Sequence, residues 1–347
     1  MTEAINDRSA ALPPPVRSNG RTALSVAAYA LSTAFMFISP LVPFVPAALL
    51  NCAFRNGRRA AWIALLGAAS ILVAASRISQ NPQAAAGETA NILAFVLAVG
   101  TPTLLIFSMV REGRSFGRVL VTGVATSGIG LVATEAIMRL SAAYSPYQAL
   151  VANFRENSRA WLGAYRSAKV PEDALLMMKR WSEVMAARFI PALLLAPAAL
   201  MFVLSLVMLS RLPAWREFVA SRNPLDFTRL ASGPYLFRNL ALPEWLLFAF
   251  VAGGISPLLS GVMQTIGENV LAVVGFLYFL QGLAVFRSVL FTIGAKFFGV
   301  MIAYLTLAML TISGIGPLIL GIAGLFDSFF DFRHFNRKDD SHESHID

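Results

Sequence analysis

The chain has 347 residues, 57% of them hydrophobic and only 14% charged, with a mean hydropathy of +0.66. A soluble domain carries about 25% charged and roughly 45–50% apolar residues, so lipid rather than water is the solvent for most of this chain. The formal charge of +9, from 28 basic and 19 acidic residues, would suggest nucleic acid in a soluble protein, but binding a duplex requires a water-exposed basic face. Cytosolic enzymes and nucleic-acid-binding modules are thereby excluded. Cys52 is the single cysteine, so an intramolecular disulfide and a cysteine metal cluster are excluded too. The three histidines, His334, His342 and His345, all lie in the C-terminal tail. No membrane-embedded imidazole can act as base or metal ligand, and the tail reads as a solvated polar segment.

In chain order, residues 1–23 are polar and carry Pro13, Pro14 and Pro15, which predicts a disordered cytoplasmic N-terminus. No basic start followed by a short apolar run and a small-residue site marks a cleaved signal peptide. From Leu24 onward the apolar pattern predicts helices at 24–39, 41–54, 60–76, 89–110, 118–139, 188–210, 244–262, 268–287, 297–312 and 314–328. Crossing roughly 30 Å of hydrocarbon takes about 20 residues, so 41–54 and 314–328 are half-spans or re-entrant helices. The expected fold is an all-α, polytopic transmembrane helical bundle, residues 24–333, of about 8–10 membrane segments. Residues 334–347 form a cytoplasmic tail.

Between Arg139 and Arg188 the pattern changes. Tyr147, Leu150, Val151 and Phe154 recur at helical spacing, as do Leu175, Met178, Trp181, Met185 and Phe189. Pro171, Glu172 and Asp173 make a good first turn for the second run. Residues 141–187 therefore read as an amphipathic helical hairpin on the outer face, either an anchor or a functional lid. With the N-terminus inside, 19 of the 28 basic residues fall in inner connections, the 211–243 loop among them. That count favours ten crossings with both termini cytoplasmic. Twenty-four of the 28 are Arg, which suits anionic lipid headgroups on the inner side.

Pro and Gly cluster at four breaks: Pro40, Pro43 and Pro46; Gly100 and Pro102; Gly253, Gly254 and Pro257; Gly314, Gly316 and Pro317. Each frees backbone groups that lipid cannot satisfy, so they must meet protein, water or a ligand. Interrupted helices surround the binding site in many transporters, while small residues also serve close packing. Polar side chains within spans are few. Glu135 sits four residues before Arg139, an ion-pair spacing. Asn91, Gln264 and Glu268 lie at outer helix ends. Gln281 is the deepest, with Tyr278 one turn away, and it must bond another helix or a ligand. The chain holds no carboxylate relay, no GxxxxGK[ST] phosphate loop, no Ser/His pair and no metal set, so neither an enzyme nor a cofactor is expected.

The run from Gly321 through Gly324, Asp327 and Asp331 to Arg333 resembles the ending of the YybS-like family of bacterial multi-pass membrane proteins, which finish with a Gly, an Asp and an aromatic-Asp-aromatic-Arg step. Pro102-Thr-Leu-Leu with Arg111-Glu-Gly-Arg-Ser115, and Phe237 to Trp245, fit the same resemblance over roughly 24–333. It implies a polytopic protein of the bacterial inner membrane with a loose similarity to substrate-binding subunits of vitamin-type transporters. It supplies no catalytic residues. From the residues themselves, Asp327, Asp331 and Arg333 read as an interfacial anchor.

Two functions follow as expectations. One is binding or transport of a small solute through an outward-facing intramembrane cavity, with Gln281, Tyr278, Asn91, Glu135 and Glu268 as candidate contacts. The other is a structural scaffold that docks a separate protein partner through the 211–243 loop or the outer helices, with no transport activity.

Overall fold

The computed structural model describes residues 19–78, 82–220, 235–312 and 314–330. The arm before residue 19, the tail histidines, Asp331 and Arg333 lie outside the described residues, as does the 221–234 part of the inner loop.

Among the described residues every regular element is helical. The order is α1 (Asn19–Ile38), α2 (Val45–Asn56), α3 (Arg58–Ile78), α4 (Pro82–Ala94), a wide π turn (Phe95–Gly100), α5 (Thr101–Arg111) and α6 (Phe116–Ala142). Next come α7 (Pro146–Ser167), α8 (Glu172–Val184), a second π turn (Met185–Phe189), α9 (Ile190–Leu209) and α10 (Pro213–Ala220). The chain then forms α11 (Leu246–Gly254), α12 (Val262–Thr292), α13 (Phe297–Ile312) and α14 (Ile315–Phe330). The all-α polytopic class holds. Five helical runs are long and apolar enough to cross a membrane: Arg58–Arg77, Ala86–Arg111, Phe116–Ala142, Glu172–Leu209 and Val262–Thr292. α13 and α14, bent by 110° at their junction, make a sixth if they are one span. Thr22–Ile38 and Leu246–Leu258 are apolar but shorter.

Two predicted segments are divided differently. The 188–210 segment does not begin at Arg188: α8 runs on through the second π turn into α9 as one rod, Glu172–Leu209. A π turn carries one extra residue, and here it accommodates Pro191 in the first turn of α9 without a break. The 244–262 segment is cut at Pro257 and at Gly261, whose φ of 65° is left-handed, so α11 is short and the long helix starts at Val262.

The hairpin forms as the pattern dictates. Ser145 caps α7 by accepting from the Gln148 amide, and Glu172 and Asp173 occupy the first turn of α8. α7 buries no residue, and α8 buries only Leu175. The opposite end, called here the loop end, carries an aromatic cluster in which Phe54 meets Phe107, Trp215 and Phe218 at centroid distances of 4.9, 5.3 and 5.0 Å. There the Tyr235 hydroxyl donates to the Arg114 carbonyl at 3.1 Å.

Small residues set the closest helix pair. An ideal Cβ on Gly282 of α12 would overlap the Leu320 carbonyl of α14, and one on Gly324 would overlap the Tyr278 carbonyl. This is the small-residue contact that lets backbones touch where hydrophobicity cannot drive helices together. Leu49, Leu50, Leu104, Ile106, Leu120, Phe202 and Leu206, all fully buried, fill the centre between α2, α5, α6 and α9.

Candidate functional site

The breaks are satisfied largely by protein. At the first, the Ser205 hydroxyl of α9 donates to the Pro43 carbonyl at 3.1 Å. At the second, the π turn ends at Gly100, and the Thr103 hydroxyl donates to the Val99 carbonyl at 2.6 Å. At the third, Gly253 lies against the backbone of Leu271. At the fourth, Gly314 takes a φ of 79°, and Gly316 packs on Thr311. Pro317 lines a pocket of 640 Å³ with Phe250, Phe276, Tyr278 and Phe279. The third and fourth breaks thus lie near one apolar pocket, and the first and second lie where α2 packs on the π turn.

The five candidate side chains divide into three groups. Gln281 is a tie point near the loop end. Its Oε1 accepts from the Leu242 amide at 3.0 Å, and its Nε2 donates to Asp327 Oδ2 at 2.9 Å. One carboxamide thus joins α12, α14 and the segment entering α11. Tyr278, 1% exposed, stands one turn away with its ring edge-on to Phe250. Asp327 is buried, and within the C-terminal motif its Oδ2 receives Gln281.

Glu268 lies at the hairpin end of α12. It pairs with Arg188 at 3.2 Å and accepts from Gln264 at 2.9 Å. The residue beside it, Asn269, was missed by sequence reasoning. Its Oδ1 accepts from the Ala192 amide at 2.9 Å, while its Nδ2 donates to the Arg188 carbonyl at 2.6 Å. Arg188 and Ala192 stand four apart, so the carboxamide bridges a pair that would otherwise close a helical turn. The available signal was an Asn within an apolar run, since such a side chain must find a partner away from lipid.

Asn91 and Glu135 come together. A pocket of 500 Å³ at the hairpin end is lined by Asn91 and Ala94 of α4, Leu131, Thr134, Glu135 and Arg139 of α6, Tyr147 and Leu150 of α7, and Leu194 of α9. A second pocket of 250 Å³ adjoins it between α4, α6 and α9, with Phe37 of α1 in place of α7. The two share Asn91, Ala94, Leu131 and Leu194, so they form one cleft with two chambers. The inner chamber adds Phe37, Phe95, Ser127, Pro197 and Met201. Wall spacing is set by glycine, since a Cβ on Gly130 would overlap the Leu97 carbonyl across the π turn.

The mouth is held by Glu135, which accepts from Arg139 Nε, from the Ser145 hydroxyl, and from the Tyr147 amide at 2.8 Å. The predicted Glu135–Arg139 pair is present, and through Ser145 and Tyr147 its carboxylate also fastens the start of α7 over the cleft. The Ser127 hydroxyl, in a residue 1% exposed, has no hydrogen-bond partner among the described residues. Among the described residues no group of three His, Cys, Asp or Glu side chains is placed to hold a metal ion.

Long apolar helices, glycine-mediated packing and polar groups confined to tie points and one cleft define a multi-pass helical membrane protein. Residues 22–328 match the family described as "Predicted membrane protein (DUF2232)", and the chain belongs to that family. Comparison with curated proteins and with solved structures finds no match.

Proposed function

We propose that this membrane protein binds a small solute in the two-chamber cleft beneath α7, as a step in its capture or passage. The observation that carries the reading is the Ser127 hydroxyl, buried and unpartnered on the wall of a cleft that also presents the Asn91 carboxamide. An unpaired buried hydroxyl destabilises a fold unless something bonds it, so a solute on this wall would find an open donor and acceptor there. The positive-inside distribution supports a hairpin end on the outer face of a bacterial cytoplasmic membrane, with both termini inside; in that orientation the cleft opens outward. Of the five candidate contacts, Asn91 and Glu135 are the two that face it. Gln281 and Glu268 serve as braces in this reading, and Tyr278 lines the separate 640 Å³ pocket.

The test is native mass spectrometry of the protein purified in lipid nanodiscs, wild type against Leu131→Trp, which fills the waist shared by the chambers. A recurring small molecule lost in the variant supports the proposal. A recurring protein with no solute would support the scaffold alternative and overturn it.

A further inference from the structure

We infer that the occupant of this cleft is an amphiphile, an apolar chain or elongated apolar body ending in an anionic, hydrogen-bond-accepting head such as a carboxylate or phosphate. The inference rests on the solute-binding reading above and adds the chemical class.

The polar groups at the mouth decide the sign of the head. Glu135 is already occupied by three protein donors, Arg139 Nε, Ser145 Oγ and the Tyr147 amide, and a carboxylate has about four acceptor sites in all. It is poorly placed to receive a ligand cation. Donors, in contrast, are in excess. Arg139 spends Nε on Glu135 and Nη2 on Ser145 at 3.3 Å, while no bond engages Nη1 among the described residues. The Asn91 carboxamide, exposed on the wall, is likewise open to a ligand. A guanidinium with a free edge beside an amide donor suits a carboxylate or phosphate oxygen.

The walls decide the body. Beyond the mouth come Ala90, Ala94, Leu131, Leu150, Leu194 and Leu195, then Phe37, Phe95, Val99 and Met201. A sugar or amino acid placed there would leave its own polar groups unpaired. Along α6 the cleft reaches from Arg139 to Ser127, twelve residues and so ~18 Å at 1.5 Å per residue. That length suits an extended chain, with the unpartnered Ser127 hydroxyl marking the inner limit.

The experiment uses the full chain in nanodiscs with three photoreactive, alkyne-tagged probes: a long-chain fatty acid added from water, the amine of matched length, and a phosphatidylglycerol built into the bilayer. Labelled peptides are mapped by mass spectrometry. The expected result is labelling of α4, α6 and α9 peptides by an anionic probe at least about tenfold above the amine. Leu131→Trp should abolish it, and Arg139→Gln and Asn91→Leu should each lower it about fivefold. Labelling by the fatty acid alone identifies a free acid as the source, and labelling by the phospholipid identifies the bilayer. If Arg139→Gln unfolds the hairpin, Asn91→Leu and the acid-to-amine ratio still decide. Equal labelling by acid and amine, sensitive to Leu131→Trp, overturns the anionic head and leaves the cleft as a binding site. No labelling sensitive to Leu131→Trp overturns both.

Discussion

Replacing Asn269 by Leu tests whether a single carboxamide repairs the helix carrying Pro191. The substitution removes the acceptor for the Ala192 amide and the donor to the Arg188 carbonyl, at 2.9 and 2.6 Å in the native protein. The residue is only 9% exposed, so water cannot readily take the place of the lost groups. Each buried backbone group left unpaired costs about 1–3 kcal/mol, for two groups about 2–6 kcal/mol. Interhelical side-chain bonds in a membrane protein average about 0.6 kcal/mol, because the unfolded chain in the bilayer also finds partners. That comparison favours the lower half of the range, about 2–4 kcal/mol. At 1.4 kcal/mol per decade this is roughly a 30- to 700-fold shift in the folding equilibrium. Equilibrium unfolding in bicelles by steric trapping measures it, with Lys179→Gln at an exposed position of α8 as a control expected to cost under about 0.5 kcal/mol. A loss below about 0.5 kcal/mol for Asn269→Leu would refute the reasoning, since it would mean that the Arg188–Ala192 turn closes by itself.

Three further outcomes are expected. Gly282→Leu drives a side chain into the Leu320 carbonyl and should cost more than the about 1–3 kcal/mol of ordinary overpacking, read as loss of monodisperse protein in size-exclusion chromatography. Burial raises the Tyr235 phenol above the ordinary tyrosine range, so it stays protonated after the unfolded chain's phenol ionises. Its contribution is intact below pH about 10 and is lost as pH rises further. Unfolding followed across that window should therefore fall less steeply for Tyr235→Phe than for wild type, at a neutral-pH cost of about 1 kcal/mol for the lost bond. Glu135→Gln loosens the start of α7, and hydrogen exchange at the Tyr147–Leu150 amides should quicken about tenfold, equivalent to about 1.4 kcal/mol; unchanged exchange would show that Glu135 does not fasten the helix.

Apolar periodicity read the bundle well where a helix is long and unbroken. The span expected at 118–139 is α6, Phe116–Ala142, and the pair of amphipathic helices is α7 and α8. Reading failed where continuity depends on a wide turn. Pro191 looks like the start of a helix, and nothing in local spacing reveals that Met185–Phe189 carries the rod through it. Of the candidate site, Gln281 was legible as a side chain that must find a partner, but the partners, Leu242 and Asp327, are 39 and 46 residues away. Ser127 was legible only as a small packing residue, because its lack of a partner depends on where α4 and α9 stand.

For the carboxamides, the distinction between brace and site rests on satisfaction rather than on polarity. Gln281 and Asn269 are the most deeply placed carboxamides, yet each has both its oxygen and its nitrogen engaged by protein. A group in that state has nothing left to offer a ligand, and removing it weakens the fold. The C-terminal Gly–Asp ending follows the same logic: Gly324 brings α14 onto the Tyr278 backbone, and Asp327 then receives Gln281. That motif encodes the seating of the last helix. Ser127, Asn91 and Arg139 Nη1 are different, since they retain unused bonding capacity along one continuous wall between α4, α6 and α9. Ser127→Ala and Asn91→Leu should therefore separate from the brace variants, altering ligand labelling while leaving unfolding within about 0.5 kcal/mol, as substitutions that break no buried bond do.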